Sequence, residues 1–514
     1  MPGKSFTLGP WTGGLNLLND RSVIADNQLS ECLNYDFDMS GALISRPSFI
    51  DTTKSMTLGV SGNIKLLGFY IADNGTSYLI GSDGLSSTYY FNGTSWTLIT
   101  GTFAAAAMAQ FDHKAYMTAP LGSANPGGYW TPSGGFTAEA NMPKGDVIVA
   151  HKYRLWVAQG KEATSNHTRL YYSAILGGTL WSVANDFIDI GAGDGEAIVS
   201  VIVYYNNLLI FRTGSIYSLN YSSDIATDGI VIQMVPGVGL ASANSLVAYE
   251  DFVYFMYNEK AYRFINNRVQ QINELVPFSA GAGAASVYDP FAVSIVGKRV
   301  VFAYYDYLYV YSLYTNTWSR WHSPTFGGIG KIYLDVDPDG ADIFYTSSST
   351  EVALGGSRTA KLLNLSETVG STGETFQCEV STKSYDFQLP EKYKRLFWWG
   401  VDISFRSTIT GYAVPDSYRD TITWGQYRAS TWGNARNYTW GSPTQVVPVI
   451  DTSYSAVGLS PGRKFVKMLR GERFRKIYFR VVADTSGGID TAPVNLFLIV
   501  VMVRDKAEVT AALT

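Results

Sequence analysis

Charge is scarce in this chain: Asp, Glu, Lys and Arg make up 16% of its 514 residues, against about 25% in ordinary soluble domains. The 39 basic and 43 acidic side chains leave a net charge of −4, which excludes nucleic-acid binding through bulk positive charge. Cysteine is scarcer still. Cys32 and Cys378 cannot build a disulfide framework or a cysteine zinc cage. The four histidines, His113, His151, His167 and His322, are scattered, and each is expected at a turn or surface. No apolar run reaches the roughly 18 residues of a membrane helix, and residues 1–10 lack the basic and apolar stretches of a signal peptide. The expectation is a soluble protein with no membrane span. Nucleophile elbows, phosphate-cradling loops and zinc helices are also missing. Paired glycosidase carboxylates, which meet only in a fold, have no positive sign. We therefore expect no enzyme.

Aromatic residues and glycine are abundant. Aromatics form 14% of the chain, with 35 Tyr, 26 Phe and 12 Trp, and glycine adds 50 residues. Such a composition favours pleated strands and tight turns over helices. A divergent repeat runs through the middle: a short polar turn followed by an apolar strand recurs from Asp112, Lys152, Asn206, Glu250 and Gly297, with starts 40, 54, 44 and 47 residues apart. That period is the length of a four-stranded propeller blade. The fold class read from this is all-β, a six- or seven-bladed β-propeller over residues 55–355. An N-terminal extended arm covers 1–54, and a C-terminal β-sandwich-like module covers 356–514. The arm is expected to dock on a neighbour or pack beneath the propeller, so that its loss impairs assembly before folding. Trp96, Trp181, Trp318 and Trp321 fall late in repeats and are expected between blades.

Three local patterns carry candidate chemistry. Asp335, Asp337 and Asp339 alternate before Gly340, so their carboxylates can converge on a hard cation such as Ca²⁺. Thr346 stands where a calcium loop would need a bidentate Glu, and Asp-rich turns also cap backbone N–H groups without metal. No other cofactor is indicated. Trp424, Trp432 and Trp440 recur every eight residues, each within Thr-Trp-Gly. This row suits a local core, an interface with a neighbouring subunit, or a stacking platform for sugars. Finally, basic and apolar residues interleave through Arg463, Lys464, Lys467, Arg470, Arg473, Arg475 and Lys476, a pattern that protects a strand edge or meets a subunit.

The opening segment carries a family likeness. Trp11-Thr12-Gly13-Gly14-Leu15-Asn16-Leu17, then Glu31-Cys32-Leu33-Asn34-Tyr35-Asp36-Phe37, then Gly41-Ala42-Leu43-Ile44-Ser45-Arg46-Pro47 resembles the N-terminal arm of phage tail proteins of the nozzle or tail tubular class. The similarity continues, in order, through Tyr153-Arg154-Leu155-Trp156-Val157-Ala158, Arg169-Leu170-Tyr171-Tyr172-Ser173, Gly193-Asp194-Gly195 and Leu208 to Tyr217. The resemblance implies a structural virion protein, assembled in the host cytoplasm and housed in the virion tail. It would form a homo-oligomeric ring, commonly of six copies, below a portal or adaptor protein and beside other tail proteins. Viral DNA would pass through the ring during ejection without sequence specificity. The rival reading is a carbohydrate-binding or carbohydrate-active propeller recognising host-surface glycans through its tryptophans.

Overall fold

The computed structural model describes residues 4–51, 56–58, 65–161, 163, 165–222, 225–279, 291–296, 298–304, 307–322, 335–336, 343–344, 346–348, 358–366, 376–387, 394–404, 408–415, 451–455, 463–469, 473–474, 476–484 and 495–505. The chain divides into two compact units. One comprises Met1–Ser48, Tyr314–Trp321 and Glu367–Thr514, and the other Phe49–Leu313 with His322–Ser366.

The second unit is built from antiparallel meanders. Five successive four-stranded sheets begin at Lys65–Ile71, Ala107–Phe111, Val147–His151, Ile198–Tyr204 and Leu246–Tyr249. A further set, Phe291–Val296, Arg299–Tyr304 and Tyr307–Ser312, pairs in the same way. Two-residue turns drive this topology. Phe111 pairs Lys114, His151 pairs Arg154, Tyr204 pairs Asn207 and Tyr249 pairs Phe252, so each first hairpin closes over two residues. Asp112 and His113 have φ of 45° and 57°, and Lys152 and Tyr153 have 45° and 61°. Two successive positive φ values give the turn whose twist matches paired strands.

The second strands are apolar on both faces, and their alternation distributes them to two neighbours. Ala115 and Met117 pack with Tyr70 and Ile80 of the first meander, whereas Tyr116 packs with Leu155 and Val157 of the third. Trp156 and Ala158 face the other way, onto Ile198, Leu208 and Ile210 of the fourth. Leu209 and Phe211 turn to Val253 and Phe255 of the fifth. Because side chains alternate across a strand, each sheet is a layer sandwiched between the layers before and after it. Each fully buried Leu, Ile or Val there contributes about 1.5–3 kcal/mol. An all-β, propeller-like fold follows. Trp181 is buried between the second and third meanders, while Trp96 lies against Phe91 of its own sheet, ring centroids 5.6 Å apart.

Among the described residues, the first unit contains two sheets. In one, the order is Tyr35–Phe37, Leu43–Ser45, Asn495–Asp505, Lys394–Ser404 and Arg463–Leu469, with Lys4–Leu8 also paired to Asn495–Asp505. The basic strand Arg463–Leu469 is thus terminal among the described residues. In the other, Gln28–Leu33 pairs Gln377–Thr382, which pairs Ile477–Asp484, then Thr408–Pro415 and Asp451–Ser455. Ile477, Phe479, Val481 and Ala483 are buried in strict alternation. The facing strand keeps Leu396, Trp399 and Val401 inside because a register shift between Leu396 and Trp398 resets its parity. The Trp399 and Phe479 rings meet at 5.1 Å. The N-terminal segment is therefore woven into the unit's sheets, and Trp11 and Tyr35 are fully buried. No described helix is long and apolar enough to cross a membrane.

Candidate functional site

The residues of the N-terminal motif converge on one buried polar node within the first unit. Asn34 is its hub, held at φ 60°. Its Oδ1 accepts a 2.9 Å bond from Arg46 Nε, and its Nδ2 donates to the Gln377 carbonyl at 2.7 Å. Its backbone N–H donates to the Arg320 carbonyl at 2.8 Å. Arg46 has no solvent exposure. Its Nη1 donates to the Pro47 carbonyl at 2.8 Å, and its guanidinium lies 3.8 Å over the Phe376 ring. Arg320 Nη2 reaches both carboxylate oxygens of Glu31 at 2.8 Å. Asp36 Oδ1 accepts Trp321 Nε1 at 3.0 Å and Ser319 Oγ at 3.2 Å. Gly14 sits at φ +71°, and a Cβ there would lie 2.8 Å from Thr317 Cβ, so only glycine fits. Burial raises the Glu31 pKa despite Arg320, and raises the Cys32 thiol far more. Cys32 and Cys378 are both buried, and neither is in a disulfide.

A second node lies in the fourth meander, where Gly193-Asp194-Gly195 meets Arg212. The buried Arg212 guanidinium holds Asp194 through both Nη1 and Nη2 and donates to the Glu196 carbonyl at 2.5 Å. Hydrogen bonding from Arg212 lowers the Asp194 carboxyl to about 2. Ser215 Oγ donates to Glu196. This cluster locks a loop, because its cation is consumed by neighbouring carboxylates.

The first-hairpin turns of neighbouring meanders are tied together. His113 Nδ1 lies 2.5 Å from Asp73 Oδ1, and Tyr205 Oη donates to Asp251 Oδ1 at 2.5 Å. Between the third and fourth turns lies an open depression of about 470 Å³, lined by Lys152, Asn206, Asn220, Tyr221, Ser222, Asp228 and Ile230. Tyr221 forms its rigid floor. Its hydroxyl donates to the His151 carbonyl at 2.9 Å and lies 3.2 Å from Trp156 Nε1 and 3.0 Å from His151 Nδ1. A hydroxyl that donates to the carbonyl must accept from the imidazole, so the neutral Nδ1–H tautomer is assigned to His151. Burial, then Lys152, lowers its pKa to about 4. His151 is thus buried, although sequence reasoning expected a turn or surface residue; the adjacent Lys152 and Tyr153 occupy the turn itself.

Of the sequence-derived candidates, Asp337 and Asp339 lie outside the described residues, as do Trp424, Trp432 and Trp440. Asp335 is described only by its backbone, which pairs with Phe344. Among the described residues, no three His, Cys, Asp or Glu side chains gather as a metal ion would need. The depression was missed because its lining comes from two repeats.

The described fold defines the class as an all-β, propeller-like protein. No family model matches the chain, and no curated protein matches it. Among solved structures it is similar to the extracellular domain described as a hybrid two component system, BT4673 from B. thetaiotaomicron. That match has 12% identity and a TM-score of 0.40 over 61% of this chain and 39% of that one. It is also similar to the extracellular domain described as a one component system under the same name. There the identity is 10% and the TM-score 0.41, over 90% of this chain and 64% of that one. The chain therefore spans less than two thirds of either structure, and likeness this distant says nothing of function.

Proposed function

We propose that the chain is a structural protein of a phage tail, of the nozzle or tail tubular kind. About six copies would form a ring that extends the DNA conduit below the portal or adaptor and passes the genome during ejection without covalent chemistry. On this reading the meanders close into a six- or seven-bladed propeller, and the first unit, in which the N-terminal strands pair with those of the C-terminal part, is a β-sandwich-like module. The protein is assembled in the host cytoplasm and resides in the virion tail.

The observation that carries the reading is the polar node. Gly14, Glu31, Asn34, Asp36 and Arg46 belong to the stretch that resembles the tail-protein arm, and all five serve one structural purpose. A chance string of similar residues has no reason to share bonds. The charge composition agrees: a conduit must let DNA slide, and a chain of net charge −4 offers phosphates little to grip. The test is solution mass, measured for the chain alone and mixed with the portal-side protein of its virion. A sixfold mass on mixing supports the reading, and a mass that stays monomeric with that protein present removes it.

A further inference from the structure

The last strand of the fourth meander, Ile230–Pro236, is an open sheet edge. It pairs on one side with Ser215–Asn220 and ends the order of its sheet among the described residues. The strand reads Ile-Val-Ile-Gln-Met-Val-Pro over seven residues, and no charged side chain stands between Asp228 and Glu250. An edge offers a row of N–H and C=O groups to any strand that lies beside it, and proteins ordinarily blunt that row with charge or short length. Last strands of other meanders follow this rule. Gly135–Ala138 has four residues, Phe187–Asp189 has three and ends on a carboxylate, and Arg268–Gln271 has four and opens on an exposed Arg. Ile230–Pro236 is longer than each of these and carries neither protection.

We propose that Ile230–Met234 pairs antiparallel with the same strand of a second copy of this chain, joining two four-stranded sheets across a twofold axis. Backbone groups of the edge call for an extended strand, and the side chains say which one. Ile230 and Ile232 are 59% and 54% exposed and, being two apart, share a face of the strand. Val231 points the other way and packs on the core between the third and fourth meanders. A partner strand must therefore bring apolar side chains to the Ile230 face at the same spacing, with no charge. The strand itself meets that demand. Antiparallel pairing about Ile232 sets this residue against its own counterpart and Ile230 against the half-buried Met234 of the partner subunit, so the exposed aliphatic groups of both copies are covered together.

The strand also limits its own pairing. A register shift against Ile216 and Tyr217 makes Met234 the extra residue of a bulge, and Pro236 has no N–H to donate. Both keep the ladder from running past Met234. A twofold pair uses both edges at once, which stops growth at two copies. Five residue pairs span only about 17 Å, well short of a standard interface, so the dimer is a weak one, with a dissociation constant on the order of 100 μM.

A twofold contact joins two copies and does not close a ring, so this inference and the conduit reading can fail separately. The test is sedimentation velocity of the full chain alone from about 5 μM to about 1 mM, in which the average mass should rise from one copy toward two. Ile232→Lys should hold it at one copy throughout with an unchanged melting temperature. Leu98→Lys, at a 53% exposed aliphatic on the last strand of the first meander, should leave the dimer intact. A cysteine variant reads the register independently. Opposed Cα atoms of an antiparallel pair lie about 4.5–5.5 Å apart, within disulfide reach, so Ile232→Cys should link two copies under oxidised glutathione. Gln233→Cys, set opposite Val231 of the partner subunit, should not. The proposal is overturned if the chain stays single up to about 1 mM, including the case in which its edge takes up a strand of a different protein. It is equally overturned if the dimer survives Ile232→Lys, or if Gln233→Cys links where Ile232→Cys does not.

Discussion

Protonating His151 would put a charge beside Lys152 and against the buried Tyr221 ring, where the structure holds a neutral imidazole. The unfolded residue titrates near 6.5 and the folded one near 4. Between those values the unfolded chain gains a proton that the folded chain refuses. Stability is full above pH 6.5 and is lost as pH falls toward 4, by about 3 kcal/mol. Thermal melting at pH 7 and pH 5 should show this fall in the native chain and a flatter profile in His151→Gln. Arg46 makes a complementary case. Replacing it with Ala removes a fully buried side chain and strands the Asn34 and Pro47 oxygens. Arg46→Ala should cost about 3–5 kcal/mol, read by denaturant unfolding of the first unit. The sequence showed Asn34 and Arg46 only as members of a motif. Their partners, Arg320, Phe376 and Gln377, are some three hundred residues away, so no local pattern could pair them.

At the scale of elements, turns were the most legible feature. The turns read at Asp112, Lys152 and Glu250 fall at the first hairpin of successive meanders, and the one read at Asn206-Asn207 lies one residue earlier, at Tyr205-Asn206, because a two-residue loop leaves a strong local trace. The apolar second strands were equally readable, since burial on both faces removes the polar alternation. Conformational cost was not read. Tyr153 occupies a left-handed position at φ 61° that glycine takes freely, so Tyr153→Gly should raise stability by about 1 kcal/mol. A higher melting temperature checks this, and an unchanged or lower one means that the ring is held by contacts that repay the strain. Parity shifts were invisible too. Leu396, Trp399 and Val401 share a face only because of the irregularity before Trp398, which an alternation count misreads.

For the whole molecule, the N-terminal segment differs most from its expected character. A stretch without repeat grammar suggested an arm lying on something else. Its strands instead complete sheets of the first unit: Lys4–Leu8 pairs Asn495–Asp505, and Gln28–Leu33 pairs Gln377–Thr382. Pairing across such sequence separation leaves no periodic signal. Deleting residues 1–48 should therefore unfold the first unit while the meanders of the second persist, which limited proteolysis with mass spectrometry can separate. A protease-resistant first unit in the deletion variant would return the segment to a purely assembling role. The tail-protein reading then makes the sharpest demand of all, since a conduit needs a ring. Electron microscopy of the chain assembled with its portal-side partner is the most direct measurement. The account predicts closed rings of about six copies with an axial channel wide enough for duplex DNA, and dispersed single copies, or rings with no channel, would contradict it.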